Sequence, residues 1–252
     1  MTQRQIREGV EALGLKPGAT VVVHSSLKSF GEVEGGPDSV VAAVIDVVGP
    51  EGLIIMPLYR SSADANGDLV RVPEPGAKVT TGAIPAAFAR RPDVRLAPNP
   101  QYTFALYGRD AEWYARKFSP LMFPYGFDQP LCCLRERRGW ILQLGVNDSQ
   151  NTAIHAVEEV ADPAYLAVKK SQSRLTVDEF FAMPVEARRE SLEKHRAGPR
   201  RLFVTCTPLI EQAGIRRVAM IGRGRAALTD AAAMFDVLGE SFSRNPSSMV
   251  QG

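Results

Sequence analysis

The sequence predicts an α/β fold, and three observations carry that reading. Thr20–His24 is a short β-branched run of the kind that forms a buried strand, and Leu53–Met56 is a second. Between them, Asp38–Val48 carries apolar residues at helical spacing. Together they form a β–loop–α–β unit, which favours adjacent strands with a helix packed across them. The chain has 252 residues, a length that fits one large α/β domain, so the expectation is a single domain over residues 1–252.

The elements follow in order. Ile6–Leu13 reads as a helix closed by Gly14 and the Pro17-Gly18 turn, and Ser25–Gly36 reads as a Ser/Gly-rich loop. Pro37 stands where a first helical turn tolerates proline, and Gly49-Pro50 ends that helix. Tyr59–Thr80 is rich in Ser, Asp, Asn, Gly and Pro and reads as one long loop, a type of segment that is often functional. Thr81–Arg91, Asp110–Phe118 and Pro130–Arg138 read as helices, Tyr102–Tyr107 and Trp140–Val146 as strands. Asn151–Val160 is a helix directly after the last of these strands. Tyr165–Lys169 reads as a strand, and Val177–Arg196 as a polar helical stretch interrupted by Pro184. Leu202–Gly214 is ambiguous. Val218–Ile221 and Arg225–Leu228 read as short strands, and Thr229–Phe242 as a closing amphipathic helix with Thr229 as its N-cap.

Composition narrows the function classes. The hydrophobic fraction of 45% and charged fraction of 23% are those of an ordinary globular protein. A formal net charge of +2 gives no strong attraction to nucleic acid, and the densest basic run, Arg135–Arg138, reads as a solvated face. Three cysteines, two of them adjacent, do not form a disulfide framework and suit a reducing compartment. The N-terminus lacks the apolar core of a signal peptide, and no segment approaches the roughly 18 consecutive apolar residues of a membrane span. The expectation is a cytoplasmic protein with neither a nucleic-acid nor a membrane partner.

Two constellations are chemically suggestive. In Asn151-Thr-Ala-Ile-His-Ala-Val-Glu-Glu159, residues three apart lie on one helical face, which aligns Thr152, His155 and Glu158. A carboxylate beside an imidazole fixes its tautomer and raises its basicity, as proton removal from an attacking amine requires. The plainer alternative is a structural pair on a half-buried helix. The second constellation is His24-Ser-Ser-Leu-Lys-Ser-Phe-Gly31 with Glu34-Gly-Gly36, a strand end leading to a helix N-terminus. Its amides suit a phosphate or a developing oxyanion, although neither GxGxxG nor GxxxxGK[ST] is present and a plain connection is the alternative. His24 reads as a satisfied core histidine, His195 as a solvated one, and Cys132-Cys133 as a buried helical pair. Neither HExxH, CxxC nor a GxSxG nucleophile elbow occurs, so the expectation is that no metal is bound.

Several blocks in fixed order resemble the aminoglycoside 3-N-acetyltransferases. They are VVVHSSLKSFGEVEGGPDSVVAAVIDVVGPEGLIIMP (Val21–Pro57), TGAIPAAFARRPDV (Thr81–Val94), PYGFDQPLCCL with GWILQLGV (Pro124–Val146), and NTAIHAVEE ending at Glu159, with a looser match in IGRGRAALTDAAAMFDVL. The resemblance implies that family's own α/β fold, a mixed sheet with flanking helices distinct from the GNAT fold, and acetyl-CoA as co-substrate. It implies His155 as catalytic base tuned by Glu158, with Thr152 beside it. It also implies that Ser25, Ser26, Leu27, Lys28, Gly35 and Gly36 lie along CoA, with amides near Ser26–Lys28 as oxyanion donors.

Three departures bear on the acceptor. Asn99 stands where the family carries a histidine, and it keeps a hydrogen bond but does not titrate. The acids that would suit a polycationic sugar, Asp64, Asp68, Glu74 and Asp128, are scattered. The Val177–Arg196 stretch does not match the family segment. The expected function is acetyl transfer from acetyl-CoA to a small-molecule amine, foremost the 3-amino group of an aminoglycoside and hence antibiotic resistance. The alternatives are a same-family transferase for another amine, a ligand-sequestering protein, and a hydrolase. A homodimer is left open.

Overall fold

A computed structural model of the chain describes all residues except 60–62, 72–78, 98, 101–102, 119 and 252. Helix α1 (Gln3–Ala12) opens on a capping box, in which the Thr2 hydroxyl accepts the Gln5 amide and the Gln5 side chain accepts the Thr2 amide. Strand β1 (Thr20–Ser25) then leads through a 3₁₀ turn at Leu27–Phe30 to α2 (Gly36–Val48), which crosses to β2 (Leu53–Pro57). The two strands pair in parallel with Val21 opposite Ile54, as the β–loop–α–β unit predicts.

Helix α3 (Ala83–Ala89) precedes two strands, β3 (Arg95–Ala97) and β4 (Phe104–Gly108), that pair with each other antiparallel. Helices α4 (Ala111–Phe118) and α5 (Cys133–Glu136) lead to β5 (Trp140–Leu144), and α6 (Ala153–Ala161) follows it after a 3₁₀ turn at Asp148–Gln150. Then come α7 (Ala167–Ser171), α8 (Val177–Ala182), α9 (Val185–Arg196) and a two-residue strand, β6 (Arg200–Arg201). The chain closes with α10 (Thr207–Gln212), β7 (Arg216–Ile221), β8 (Gly224–Asp230), α11 (Ala231–Arg244) and β9 (Val250–Gln251), which pairs with β6.

The main sheet has the order β3–β4–β2–β1–β5–β8–β7. Its central trio, β2–β1–β5, is parallel, and every other pairing is antiparallel. This is the mixed sheet with flanking helices that the resemblance implies. Strand alternation divides the core. Val21, Val23, Ile54, Met56, Leu142 and Leu144 pack with α1, α2 and α3, whereas Val22, Leu53, Ile55 and Ile141 pack on the opposite face with α4, α5, α6 and α11. A separate cluster of Met122, Phe123, Phe180 and Leu192 anchors α8 and α9. No helix among the described residues is long and apolar enough to cross a membrane.

Several sequence expectations are corrected. Tyr165–Lys169 is a 3₁₀ turn (Ala164–Leu166) running into α7, not a strand, because its residues find no sheet edge and Lys169 and Lys170 reach back to the acids of the preceding helix. Thr229 does not cap the last helix. It lies within β8, hydrogen-bonded in register with Ile141 and Arg216, and Asp230 caps α11 by accepting the Ala233 amide. Pro130–Arg138 is a 3₁₀ turn followed by one short helix. His195 is not solvated but 7% exposed, its ring stacked on Phe123 at 4.1 Å. The Val177–Arg196 stretch is broken at Pro184, as expected, and the cysteines are buried and free. Of the Tyr59–Thr80 loop, residues 60–62 and 72–78 lie outside the described residues, as does Tyr102 of the expected Tyr102–Tyr107 strand.

Candidate active site

Strands β1 and β5 run parallel side by side, but their connections leave on opposite faces. The chain after β1 passes to α2, and the chain after β5 passes to α6. Such a switch point at the carboxyl ends of parallel strands opens a crevice. Here the crevice is pinned by backbone geometry. The Ser26 amide donates to Leu144 O at 2.9 Å, and Ser29 Oγ donates to Gly145 O at 2.7 Å. Gly145 has a φ of 73°, and a Cβ on it would lie 2.4 Å from Ser29 Cβ, so only glycine lets the two loops close to this distance.

Three cavities run through the crevice. The outer groove, of about 800 Å³, is lined by Ser25–Ser29, the start of α3, the Gly145–Asn147 turn and Arg223–Arg225. Ser25, Thr80, Thr81, Val146 and Gln150 are shared with a middle cavity of about 330 Å³ that reaches His24 and Thr152. Tyr59 and Thr152 are shared in turn with an inner cavity of about 320 Å³, lined by Phe104, Pro124, Gln129, Pro130, Leu131, His155, Glu159 and Lys169.

His155 sits one turn into α6, and its amide donates to Thr152 O at 3.1 Å. Its Nδ1 lies 3.3 Å from Glu158 Oε2, which leaves Nε2 as the free nitrogen, and its ring meets Phe203 edge-on at 4.5 Å. Glu158 is fully buried and takes two further donors on Oε1, Tyr165 Oη at 2.7 Å and Arg201 Nε at 3.1 Å. Burial opposes ionisation of Glu158. The His155 hydrogen bond and the Arg201 charge, with the Tyr165 hydroxyl, outweigh it and hold the carboxyl below the usual glutamate range. Neighbouring Glu159 is pushed upward by burial, and the Lys169 ammonium bound to it and the Gly126 amide only partly offset that.

A buried ion pair anchors the start of this helix. Asp148 Oδ1 and Oδ2 accept from the two terminal nitrogens of Arg216 at 2.6 and 2.8 Å, and Oδ2 also accepts Thr207 Oγ1. Burial opposes the Asp148 charge, but the Arg216 fork outweighs it and leaves the carboxyl below its usual range.

The structure therefore brings Thr152, His155 and Glu158 together. Ser25, Ser26, Leu27 and Lys28 line the outer groove, whereas Gly35 and Gly36 lie at the N-terminus of α2 outside its lining. Of the amides at Ser26–Lys28, that of Ser26 is used by the sheet, and those of Leu27 and Lys28 begin the 3₁₀ turn. Asn99 is buried, donates to Leu121 O at 2.6 Å and does not line the inner cavity. Asp64 accepts the Asn66 and Asp68 amides, Asp68 is bound by Arg189 at 2.6 Å, and Asp128 is exposed on a 3₁₀ turn. Glu74 lies outside the described residues. Sequence reasoning missed Tyr165, Arg201 and Lys169. Among the described residues no group of three His, Cys, Asp or Glu side chains is placed to hold a metal ion.

The fold and the crevice define a mixed-sheet α/β protein with a histidine–carboxylate pair at the inner end of a long cleft. A family model described as aminoglycoside 3-N-acetyltransferase matches residues 22–243, and the chain belongs to that family. It is 35% identical over 176 residues to the SPbeta prophage-derived aminoglycoside N(3')-acetyltransferase-like protein YokD of Bacillus subtilis, a match covering 62% of this chain and 64% of the relative. It is 31% identical over 153 residues to aminoglycoside N(3)-acetyltransferase IV of a Salmonella species, covering 61% and 57%. The chain thus spans less than two thirds of the length of these curated relatives. Its fold matches that of AAC-IIIb solved as a binary complex with CoASH, with a TM-score of 0.74, 22% identity, and 97% of each chain covered.

Proposed function

We propose that the chain transfers an acetyl group from acetyl-CoA to an amine by direct attack, with His155 as general base and no acyl-enzyme. The observation that carries this reading is the cavity series, which leads from Lys28 and Arg223 to a histidine whose Nδ1 is held by a buried carboxylate. The solved CoASH complex of a fold relative supports the same co-substrate. In this reading the anionic end of CoA lies in the outer groove, along Ser25–Lys28. The thioester reaches the junction marked by Thr152, and the amine occupies the inner cavity.

Most alkyl amines are protonated near neutral pH, and the nucleophile is the neutral form. His155 Nε2 removes the proton as the nitrogen attacks, a contribution of roughly 10²–10⁴-fold in rate. Glu158 fixes the tautomer and stabilises the imidazolium, and Arg201 and Tyr165 keep Glu158 ionised and in place.

For the acceptor, the family name points to the 3-amino group of an aminoglycoside. A specific observation favours a second reading, a same-family transferase for an amine of lower charge. Among the described lining residues the inner cavity has one carboxylate, Glu159, and Lys169 already neutralises it, while Glu158 is matched by Arg201. A polycation finds no uncompensated acid there. Thiol release from acetyl-CoA, measured with polycationic aminoglycosides and with singly charged amines, separates the readings. Higher kcat/KM for aminoglycosides supports the first, and higher kcat/KM for singly charged amines supports the second. Thiol release with no acceptor present indicates a hydrolase and contradicts both.

A further inference from the structure

The middle cavity gathers buried polar atoms that have no protein partner among the described residues. They are His24 Nε2, Ser25 Oγ, Thr81 Oγ1 and Thr152 Oγ1, and the Gln143 side-chain amide adds both of its atoms next to His24 across the β1–β5 pairing. Native interiors rarely leave such groups unmatched, and a cluster of them around one cavity marks a place where ordered water or a bound ligand completes the hydrogen bonds. His24 is the most enclosed of those lining the cavity, at 7% exposed. Strand alternation sends it to the face of Val22, the face under α6, and not to the face of Val21 and Val23. It is therefore not the satisfied core histidine that the sequence suggests.

We propose that His24 is a further catalytic residue, its neutral imidazole N–H donating to the thioester carbonyl oxygen of the bound acyl-CoA. This deepens the acyl-transfer reading and rests on it. The thioester carbon must lie within reach of an amine whose proton goes to His155, which puts it at the Thr152 junction between the middle and inner cavities. Burial lowers the pKa of His24 to about 4, so the ring is uncharged near neutral pH and carries one N–H donor. A buried neutral imidazole as electrophile is a known solution in other enzymes.

The step balances with no further reagent. The amine nitrogen bonds to the thioester carbon, and the carbonyl π pair moves onto oxygen, held by His24. As the oxyanion collapses the C–S bond breaks, and the proton taken up by His155 passes to the departing sulfur. His24 is neutral before and after.

The test uses acetyl-CoA labelled with ¹³C at the carbonyl, and wild type, His24→Ala and His24→Gln proteins. The wild type is expected to lower the C=O stretching frequency of bound acetyl-CoA. His24→Ala is expected to lose that shift and about 10²-fold or more in kcat, with the CoA Kd changed by less than about threefold. His24→Gln, which keeps an N–H near the same place, is expected to recover part of both. An unchanged carbonyl shift in His24→Ala overturns the proposal. If the alanine variant does not fold, wild-type protein labelled with ¹⁵N-histidine reads the same bond. The His24 ring N–H must move when acetyl-CoA is added, and no movement overturns the proposal. Binding with a shifted carbonyl but no transfer to any amine defeats the acyl-transfer reading and leaves His24 as a carbonyl ligand. Failure to bind acetyl-CoA defeats both.

Discussion

The outer groove and the inner cavity share one crevice but are lined by different chemistry. The groove is wide and mixed in polarity, and it presents Lys28 and Arg223 without a carboxylate among its described lining residues. Arg225 is the exception among its cations, since Glu211 lies 3.2 Å away. The inner cavity is less than half that volume, largely apolar, and its acid Glu159 is matched by Lys169. Free positive charge at the mouth and balanced charge inside suit a long anionic co-substrate and a compact acceptor of low charge. The difference also separates two kinds of work. In the proposed reaction the mouth attracts and aligns the co-substrate, and the interior moves a proton.

The sharpest break in this contrast comes from the interior. His155→Ala is expected to lower kcat by roughly 10²–10⁴-fold while the CoA Kd, read by calorimetry, changes by less than about threefold. A parallel loss of CoA binding would place His155 in the binding groove instead.

The 3₁₀ turn that leads from β5 to α6 is held by the Asp148–Arg216 pair. Asp148→Asn leaves Arg216 buried without a matching charge, so a loss of about 3–5 kcal/mol in stability is expected near neutral pH by denaturant melts. The sign with pH follows from the depressed carboxyl. Its contribution is present above the unfolded aspartate value of about 3.9 and is lost as pH falls through the lower folded value. The gap between wild type and variant must therefore narrow in strong acid, and a gap that widens there contradicts the assignment.

At the mouth, Lys28→Ala together with Arg223→Ala is expected to raise the KM for acetyl-CoA about tenfold and to flatten its dependence on salt, with kcat nearly unchanged. A fall in kcat with constant KM would move these cations into the chemistry.

Smallest of all is Tyr165→Phe, which removes one of the donors on Glu158. A severalfold fall in kcat, roughly 1 kcal/mol, is expected without change in either KM.

Legibility in the sequence followed the range of each interaction. The β1–α2–β2 unit was readable because its β-branched runs and its Gly-Pro stop are local signals. The His155–Glu158 pair was readable because three residues on a helix fix a shared face. Arg201 reaches Glu158 from 43 positions away on β6, a two-residue strand with no pattern of its own. Tyr165 hid inside a short apolar run that suits strand or helix equally. For His195 a signal was present, since Ser191, Leu192 and His195 share one face of α9, but the many charges on that helix masked it. His24 was assigned to the interior correctly, yet its missing partner is a property of three dimensions.

The most direct test of the central claim follows free thiol and product mass together, with acetyl-CoA, an amine panel, wild type and His155→Ala. Thiol release is expected only when an accepted amine is present, with a product heavier by one acetyl group and near silence from the variant. Release without an acceptor, or equal turnover by His155→Ala, would contradict the claim.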